Sequence, residues 1–135
     1  MSIDVAILGA TGAVGQRFIQ LLENHPWFRV AEVVASERSG GKTYAEAVNW
    51  VLTGNIPDTV AGLTVKPLDE TLTLTSTLVF SALPANIARE FEGRLAADGH
   101  YICSNASAYR MESDVPILMP EVNAEHIHLI ERQQS

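Results

Sequence analysis

Gly9-Ala10-Thr11-Gly12-Ala13-Val14-Gly15 is the stretch that decides the fold, because it joins two segments with different apolar patterns. Before it, Ile3 to Leu8 is a short apolar run rich in branched residues, typical of a strand buried on both faces of a parallel sheet. After it, apolar residues recur at spacings of three and four, which predicts an amphipathic helix ending near Asn24, with Gln16 on its polar side. The predicted apolar face consists of Val14, Phe18, Leu21 and Leu22.

The rest of the chain alternates in the same way between predicted strands and helices. Further strands are predicted over Phe28 to Ala35, Leu63 to Lys66, Thr77 to Ala82 and Tyr101 to Cys103, and Val115 to Met119 is expected to be extended. Helices are predicted over Tyr44 to Leu52, Ala85 to Ala97 (capped by Gly99) and Ala124 to Arg132. This order indicates right-handed β-α-β units, and so a doubly wound, Rossmann-type α/β fold with a mostly parallel sheet and helices on both faces.

Composition narrows the classes of function. The chain has 135 residues, of which 47% are hydrophobic, and a domain of this size stabilises itself without a metal or disulfide. Nine Lys and Arg stand against sixteen Asp and Glu, a net charge of −7, so nucleic acid is not an expected partner. No apolar run approaches the roughly 18 residues of a membrane span, and Cys103 is the only cysteine. We therefore expect one cytoplasmic domain with neither a membrane nor a nucleic-acid partner.

The glycine-rich stretch predicts a dinucleotide-binding turn, because it lies between a predicted strand and a predicted helix. Gly9 allows a sharp turn, Gly12 lets a pyrophosphate approach the backbone, and Gly15 allows close packing of the helix on the strand. The first N–H groups of the helix and its dipole would hold the phosphates without a basic side chain. The alternative is a structural turn that binds no nucleotide. The candidate residues are Gly9, Thr11, Gly12, Ala13, Val14 and Gly15.

The tip of the second predicted strand decides between NAD and NADP. An NAD site carries an acid there for the ribose hydroxyls, and Glu37 is in the right place for that role. Arg38, near Lys42, instead favours a 2′-phosphate, which a guanidinium binds through two hydrogen bonds. The alternative for both cations is a solvated loop. We expect NADP, held at this position by Ser36, Arg38, Ser39 and Lys42.

Five segments in this order resemble one enzyme family. They are Gly9 to Gln16, Ala35 to Lys42, Phe80 to Pro84, Ser104 to Met111 and Val115 to Asn123. Together they resemble aspartate-semialdehyde dehydrogenase of the archaeal and fungal branch. The resemblance implies NADP-dependent reductive dephosphorylation of L-4-aspartyl phosphate to aspartate semialdehyde, a step toward lysine, threonine and methionine. The alternatives are N-acetyl-γ-glutamyl-phosphate reductase and a stand-alone NADP-binding or sensing module that does not catalyse.

The resemblance also implies roles for particular residues. It carries Ser81, Ala82, Leu83 and Pro84 over as the strand end that lines the dinucleotide. Asn105 is carried over as a residue near the nicotinamide, and Arg110 as a contact to the anionic groups of the substrate. The alternatives are a helix start for Pro84, an Asx turn for Asn105 and a surface salt bridge for Arg110.

The family's catalytic cysteine lies in an Asn-Cys-Ser/Thr segment just beyond the matched region, and this chain has no such segment. We therefore expect residues 1–135 to be an NADP-binding domain that is inactive alone, with the catalytic and dimerisation domain of a homo-oligomeric enzyme absent. We expect Cys103 to be a buried core thiol. His126 and His128 are spaced by two on a predicted helix, so no metal is expected. Glu121 and Asn123 have no assigned chemistry, although Asn123 suits a helix cap.

Overall fold

The sheet consists of five parallel strands, and the computed structural model describes residues 2–105. The strands are β1 (Ile3–Leu8), β2 (Phe28–Ala35), β3 (Val65–Pro67), β4 (Leu78–Ser81) and β5 (Tyr101–Ser104), and their order in the sheet is β3-β2-β1-β4-β5. The direction in which successive strands are added to the sheet therefore reverses between β1 and β4. The predicted doubly wound α/β fold is confirmed for this part of the chain.

Four α-helices and one 3₁₀ turn connect the strands within the described region. They are α1 (Ala13–Leu22), the 3₁₀ turn Glu37–Ser39, α2 (Tyr44–Ala47), α3 (Asp58–Ala61) and α4 (Ala85–Ala97). The bounds of α4 agree with the prediction, and Gly99 closes the helix at a φ of +97°, a conformation that favours glycine. His100 N–H then donates to the carbonyl of Leu95 at 3.0 Å.

The central strand β1 is covered on both faces, as its unbroken apolar run predicts. Val5 and Ile7 pack in the layer that contains Ile19 of α1, whereas Ala6 and Leu8 pack in the layer that contains Leu95 of α4. All four β1 side chains are fully buried. Helix α1 therefore covers one face of the sheet and α4 covers the opposite face. The carboxyl ends of β1 and β4 lie between these two helices and are left open.

The predicted apolar face of α1 is half correct, because Phe18 and Leu22 pack against the core whereas Val14 and Leu21 do not. Val14 is 43% and Leu21 is 66% exposed, whereas Ile19 and Gln16 are each 1% exposed. The helix is rotated because Gly15, which has no side chain, lies directly against the backbone of the glycine-rich turn. That contact turns the Gly15–Ile19 side of α1 toward the sheet and turns Leu21 away from it.

The segment after β2 also differs from its prediction. The helix predicted over Tyr44 to Leu52 spans only four residues, α2, which a capping box between Thr43 and Glu46 begins. Helix α2 ends before Val48, whose backbone is extended, and side chains of α1 bind the backbone of residues 49, 51 and 53. Helix α3 was not predicted, and β3 lies two residues later than expected at its start.

A buried carboxylate lies on strand β2. Glu32 of β2 is 7% exposed and forms an ion pair with Lys66 Nζ of β3. Its carboxylate also accepts hydrogen bonds from the N–H groups of Thr75 and Ser76, at 3.0 and 2.7 Å to Oε1. Burial raises the pKa of Glu32, but the hydrogen bonds from Lys66, Ser76 and Thr75 outweigh this effect and lower it to about 2.

The prediction of a buried Cys103 is wrong. Cys103 is exposed, because β5 pairs on one side with β4 and forms an edge of the sheet within the described region. The predicted extended segment Val115 to Met119 and the predicted helix Ala124 to Arg132 lie outside the described residues. Across residues 2–105, no helix combines the length and the apolar character needed to cross a bilayer.

Candidate functional site

The carboxyl ends of four strands meet at one edge of the sheet. Leu8 is paired with both Val34 and Ser81, and Ser81 is paired with Ser104. Backbone hydrogen bonds continue this row past the strand ends, from the N–H groups of residues 10, 82 and 105 to the carbonyls of residues 34, 8 and 81, at 2.9–3.0 Å. The glycine-rich turn therefore lies beside the tips of β2 and β4, where open α/β sheets bind their ligands.

The three glycines of the turn face different surroundings. Gly9 has a φ of +72°, and a Cβ on it would lie 2.7 Å from the carbonyl oxygen of Ala82. A Cβ on Gly15 would lie 2.1 Å from the carbonyl oxygen of Gly9, closer than any real contact. A Cβ on Gly12 would meet nothing closer than 3.6 Å and would project into open space. Gly9 and Gly15 are thus required by the fold, whereas Gly12 leaves the mouth of the turn open.

The carbonyl oxygens of this turn all accept hydrogen bonds from the protein. Gly9 accepts from Gly12 N–H at 3.1 Å, and Gly12 accepts from Gln16 N–H at 2.9 Å. Ala10 accepts from the hydroxyl of Tyr44 at 2.7 Å, and the carbonyl of residue 11 accepts from Gln16 Nε2 at 2.9 Å. The turn therefore presents no free carbonyl oxygen to repel an anion.

Several N–H groups of the same turn, in contrast to its carbonyls, form no hydrogen bond within the described residues. Thr11, Ala13 and Val14 find no hydrogen-bond acceptor within residues 2–105, and no side chain caps the start of α1. A helix start carries a partial positive charge, and unpaired N–H groups there bind phosphate oxygens. Such a backbone can bind an anion.

The sequence did not reveal that the side chains of Tyr44 and Gln16 bind the carbonyls of the turn. Both side chains are buried, and burial raises the pKa of the Tyr44 hydroxyl, which keeps its donor proton. Gln16 Nε2 also donates to the carbonyl of Asn49 at 3.0 Å, while Oε1 accepts from Val51 N–H at 2.9 Å. The partner of Tyr44 lies 34 residues away in the chain, so nothing in the local pattern marks it. The bonds of Gln16 to Asn49 and Val51 also span more than thirty residues, whereas its bond to residue 11 is local.

The tip of β2 presents two cations. Arg38 and Lys42 are exposed, and neither forms an ion pair with a carboxylate in the described part of the chain. The Lys42 carbonyl accepts from Val65 N–H at 2.8 Å, and Gly41 N–H donates to the Val65 carbonyl at 2.9 Å, so the loop is fixed to β3. Ser36 is exposed and Ser39 is half-buried beside Arg38. Backbone hydrogen bonds from Ser39 N–H to the Ser36 carbonyl and from Lys42 N–H to the Ser39 carbonyl hold these four residues in one loop, and their binding of a 2′-phosphate stays a prediction.

An open cavity of about 530 Å³ lies between this tip and α4. Its lining includes four carboxylates, which would repel phosphate. A phosphate group is therefore favoured at the turn and at Arg38 rather than inside the cavity. The lining consists of Glu37, residues 68–71, Glu90 and Phe91.

The side chains at the end of β4 contribute less to the carboxyl edge of the sheet than the sequence predicts. Ser81 is fully buried, and its hydroxyl donates to Glu92 Oε2 of α4 at 2.7 Å, which the Ser104 hydroxyl also contacts at 2.6 Å. Leu83 is 6% exposed and packs in the core. Ala82 is half-buried and Pro84 is exposed, directly before α4. The side chains of Ser81 and Leu83 thus face the protein interior.

The remaining predicted site residues divide between the two parts of the chain. Asn105 is exposed directly after β5, and β4 lies between β5 and the strand that leads into the turn. Arg110, Glu121, Asn123, His126 and His128 lie outside the described residues. Partial desolvation by nearby protein atoms raises the pKa of the exposed Cys103 thiol, which disfavours the nucleophilic thiolate. Among residues 2–105, no three His, Cys, Asp or Glu side chains form a group that could hold a metal.

Comparisons with known proteins indicate one protein family. A protein-family model described as "Semialdehyde dehydrogenase, NAD binding domain" matches residues 4–130. The chain is 49% identical over 134 residues to the aspartate-semialdehyde dehydrogenase of Archaeoglobus fulgidus, which covers 99% of this chain and 39% of that protein. It is 38% identical over 133 residues to the malonyl CoA reductase (NADP) of Metallosphaera sedula, which covers 98% of this chain and 37% of that protein.

A solved structure has the same fold. The crystal structure of aspartate semialdehyde dehydrogenase with NADP from Candida albicans matches with a TM-score of 0.91 at 41% sequence identity. The match covers 98% of this chain and 37% of that one. The chain thus spans about two fifths of the length of the curated relatives it matches.

Proposed function

The chain belongs to the semialdehyde dehydrogenase family, of which it matches the NAD-binding domain, and we propose that it is the NADP-binding domain of an aspartate-semialdehyde dehydrogenase. The whole enzyme would carry out the reductive dephosphorylation of L-4-aspartyl phosphate to aspartate semialdehyde. The substrate is proposed from the relative of that name, at 49% identity, over the malonyl CoA reductase at 38%. The proposed location is the cytoplasm, and the whole enzyme is proposed to be a homo-oligomer.

One observation carries the cofactor assignment: the turn pairs all its carbonyl oxygens internally and leaves N–H groups unpaired around Gly12. A pyrophosphate needs such donors and room for its oxygens, and the Cβ-free space at Gly12 supplies the room. The dinucleotide supplies the hydride for reduction. The residues of this chain bind and orient it, and Ala82, Pro84 and Asn105 are proposed to flank it at the ends of β4 and β5.

NADP is proposed over NAD because Arg38 and Lys42 are exposed and neither forms an ion pair with a carboxylate among residues 2–105; Arg38 carries the argument, since Lys42 also attracts the nearby carboxylate of Glu46. The Candida albicans relative was crystallised with NADP. A 2′-phosphate at the tip of β2 would meet the guanidinium of Arg38 and the hydroxyls of Ser36 and Ser39. Charge-assisted hydrogen bonds of this kind are worth about 1.5–3 kcal/mol each.

The catalytic chemistry is proposed to lie outside this domain. The one thiol of the chain, Cys103, has a raised pKa, and no assigned base accompanies it. We propose that the nucleophilic cysteine belongs to another part of the whole enzyme. Arg110 is proposed as an anion contact for the substrate in that complete site.

Calorimetric titration of NADP and NAD into the chain tests this function. The unmutated chain should bind NADP more tightly than NAD. Arg38→Ala should weaken NADP by roughly 10- to 150-fold, the loss of one charge-assisted contact, and leave NAD almost unchanged. Arg29→Ala is the matched control, because Arg29 is exposed at the opposite end of the same strand and pairs with Asp4. Equal affinity of the unmutated chain for NADP and NAD would reject the NADP assignment.

A further inference from the structure

Two buried side chains from different elements hold the carbonyls of the glycine-rich turn, and we propose that Tyr44 and Gln16 are positioning residues for the phosphates of the bound dinucleotide. The inference rests on the proposed function and deepens it. It concerns how the chain keeps the N–H groups of the turn directed at the ligand, which no glycine achieves by itself.

Tyr44 acts on the peptide that joins Ala10 and Thr11. Peptide bonds are planar, and no cis peptide occurs in residues 2–105, so the Ala10 carbonyl and the Thr11 N–H point in opposite directions. The Tyr44 hydroxyl, on a fully buried side chain, binds the Ala10 oxygen at 2.7 Å. The Thr11 N–H is therefore directed away from Tyr44 and from the core. Without the hydroxyl, this peptide loses the contact that sets its orientation.

Gln16 acts on the next peptide, between Thr11 and Gly12. Its Nε2 atom binds the carbonyl of residue 11 at 2.9 Å, and its other hydrogen bonds, to Asn49 and Val51, leave no polar atom of the amide unpaired. The side chain thus cannot rotate without breaking three bonds. The N–H of this peptide donates to the Gly9 carbonyl at 3.1 Å, so it is not one of the ligand-facing groups. Gln16 instead fixes Gly12, the N-cap of α1, and through it the direction of the first N–H groups of the helix.

A purely structural role makes a different prediction from a positioning role. If Tyr44 and Gln16 only stabilised the fold, their loss would weaken every ligand alike. If they orient the turn, their loss weakens only ligands with a pyrophosphate at the turn. Adenosine 2′-monophosphate, 2′-AMP, separates the two roles, because it carries the adenosine and the 2′-phosphate but no pyrophosphate.

The experiment titrates NADP and 2′-AMP into the chain and four variants, each checked by circular dichroism. Tyr44→Phe and Gln16→Met remove the two contacts. Tyr101→Phe is the control for the first, because Tyr101 is 65% exposed. Gln20→Met is the control for the second, because Gln20 lies one turn further along α1 and binds the carbonyl of Thr53, not the glycine-rich turn.

Each test variant should weaken NADP by about tenfold, the effect of one hydrogen bond, and change 2′-AMP by less than about twofold. Both control variants should bind both ligands as the unmutated chain does. Equal weakening of NADP and 2′-AMP, or unchanged NADP binding in the test variants, overturns the inference. If Tyr44→Phe does not fold, Gln16→Met alone decides between these results.

A titration with inorganic pyrophosphate tests this inference independently of the proposed function. If the unmutated chain binds neither NADP nor 2′-AMP, the proposed function fails. The inference is then decided by the amide NMR signals of residues 11 and 13 during titration with pyrophosphate. Shifts in the unmutated chain that are reduced in Tyr44→Phe support it. The same response in both proteins, or no response in either, overturns it.

Discussion

Gly12 and Gly15 allow the binding function of the turn to be separated from its folding function. Gly12 has φ −77° and ψ 166°, which any residue adopts, and a Cβ there meets nothing closer than 3.6 Å. Gly12→Val should therefore fold. Its expected loss of stability is about 1 kcal/mol, from a branched residue at the helix N-cap, against a total of roughly 5–15 kcal/mol.

The same substitution should abolish cofactor binding. The valine methyl groups would occupy the open space over the unpaired N–H groups, where the pyrophosphate is proposed to lie. We expect at least a 100-fold loss of affinity, equivalent to about 2.7 kcal/mol. The measurements are calorimetric titration with NADP and urea unfolding followed by circular dichroism.

Gly15→Ala is the contrasting variant. Its added Cβ would lie 2.1 Å from the Gly9 carbonyl oxygen and 2.9 Å from Cα of Ala10, so the backbone of the turn has to move. We expect about 3 kcal/mol of destabilisation, the upper range for overpacking, although alanine is otherwise the better helix former. A folded Gly12→Val chain that bound NADP with unchanged affinity would refute the reasoning, as would a Gly15→Ala chain of unchanged stability.

Two further predictions concern acid stability and catalysis. The pKa of Glu32 is about 2 in the folded chain against 4.5 unfolded, so its charge stabilises the fold above pH 4.5, and this contribution, at most about 3 kcal/mol, is lost as the pH falls toward 2. The urea midpoint of Glu32→Gln should therefore change less between pH 2 and 6 than that of the unmutated chain. Glu23→Gln, on an exposed residue, is the control and should behave as the unmutated chain does. The same dependence of the urea midpoint on pH in all three proteins would contradict the prediction. We also expect the chain to form no NADPH from aspartate semialdehyde, phosphate and NADP, with Cys103→Ser giving the same result. Enzyme-like NADPH formation that Cys103→Ser removed would identify Cys103 as the nucleophile.

The elements that sequence predicts well are those with clear ends. The strands β1 and β2 and the helix α4 have the predicted bounds, because Gly9, the polar residues after Ala35 and Gly99 mark where each one stops. The parallel sheet follows from their alternation. The position of the site follows as well, since the carboxyl ends of parallel strands share one edge.

The elements that sequence predicts poorly depend on distant contacts. Helical periodicity places Leu21 on the apolar face and Gln16 on the polar face, but the contact of Gly15 with the turn rotates α1 and buries Gln16. Likewise, α2 stops at Ala47, and Gln16 binds the backbone just beyond it, at residues 49 and 51. Cys103 is exposed because a short strand at the edge of the sheet lacks a second neighbour in the described region.

The pairing of β1 with β4 has a consequence for the order of folding. The paired residues Leu8 and Ser81 are about seventy residues apart, whereas β1, α1 and β2 are consecutive. Closing a loop of this length costs more conformational entropy than joining consecutive elements, and it is therefore slower. The β1–α1–β2 unit should form first, and β4 should join it afterwards. The proposed cofactor lies across this late junction and would bind only after the junction has formed. Cofactor supply during synthesis would thus raise the yield of the native chain by mass action, without the cofactor assisting any earlier step.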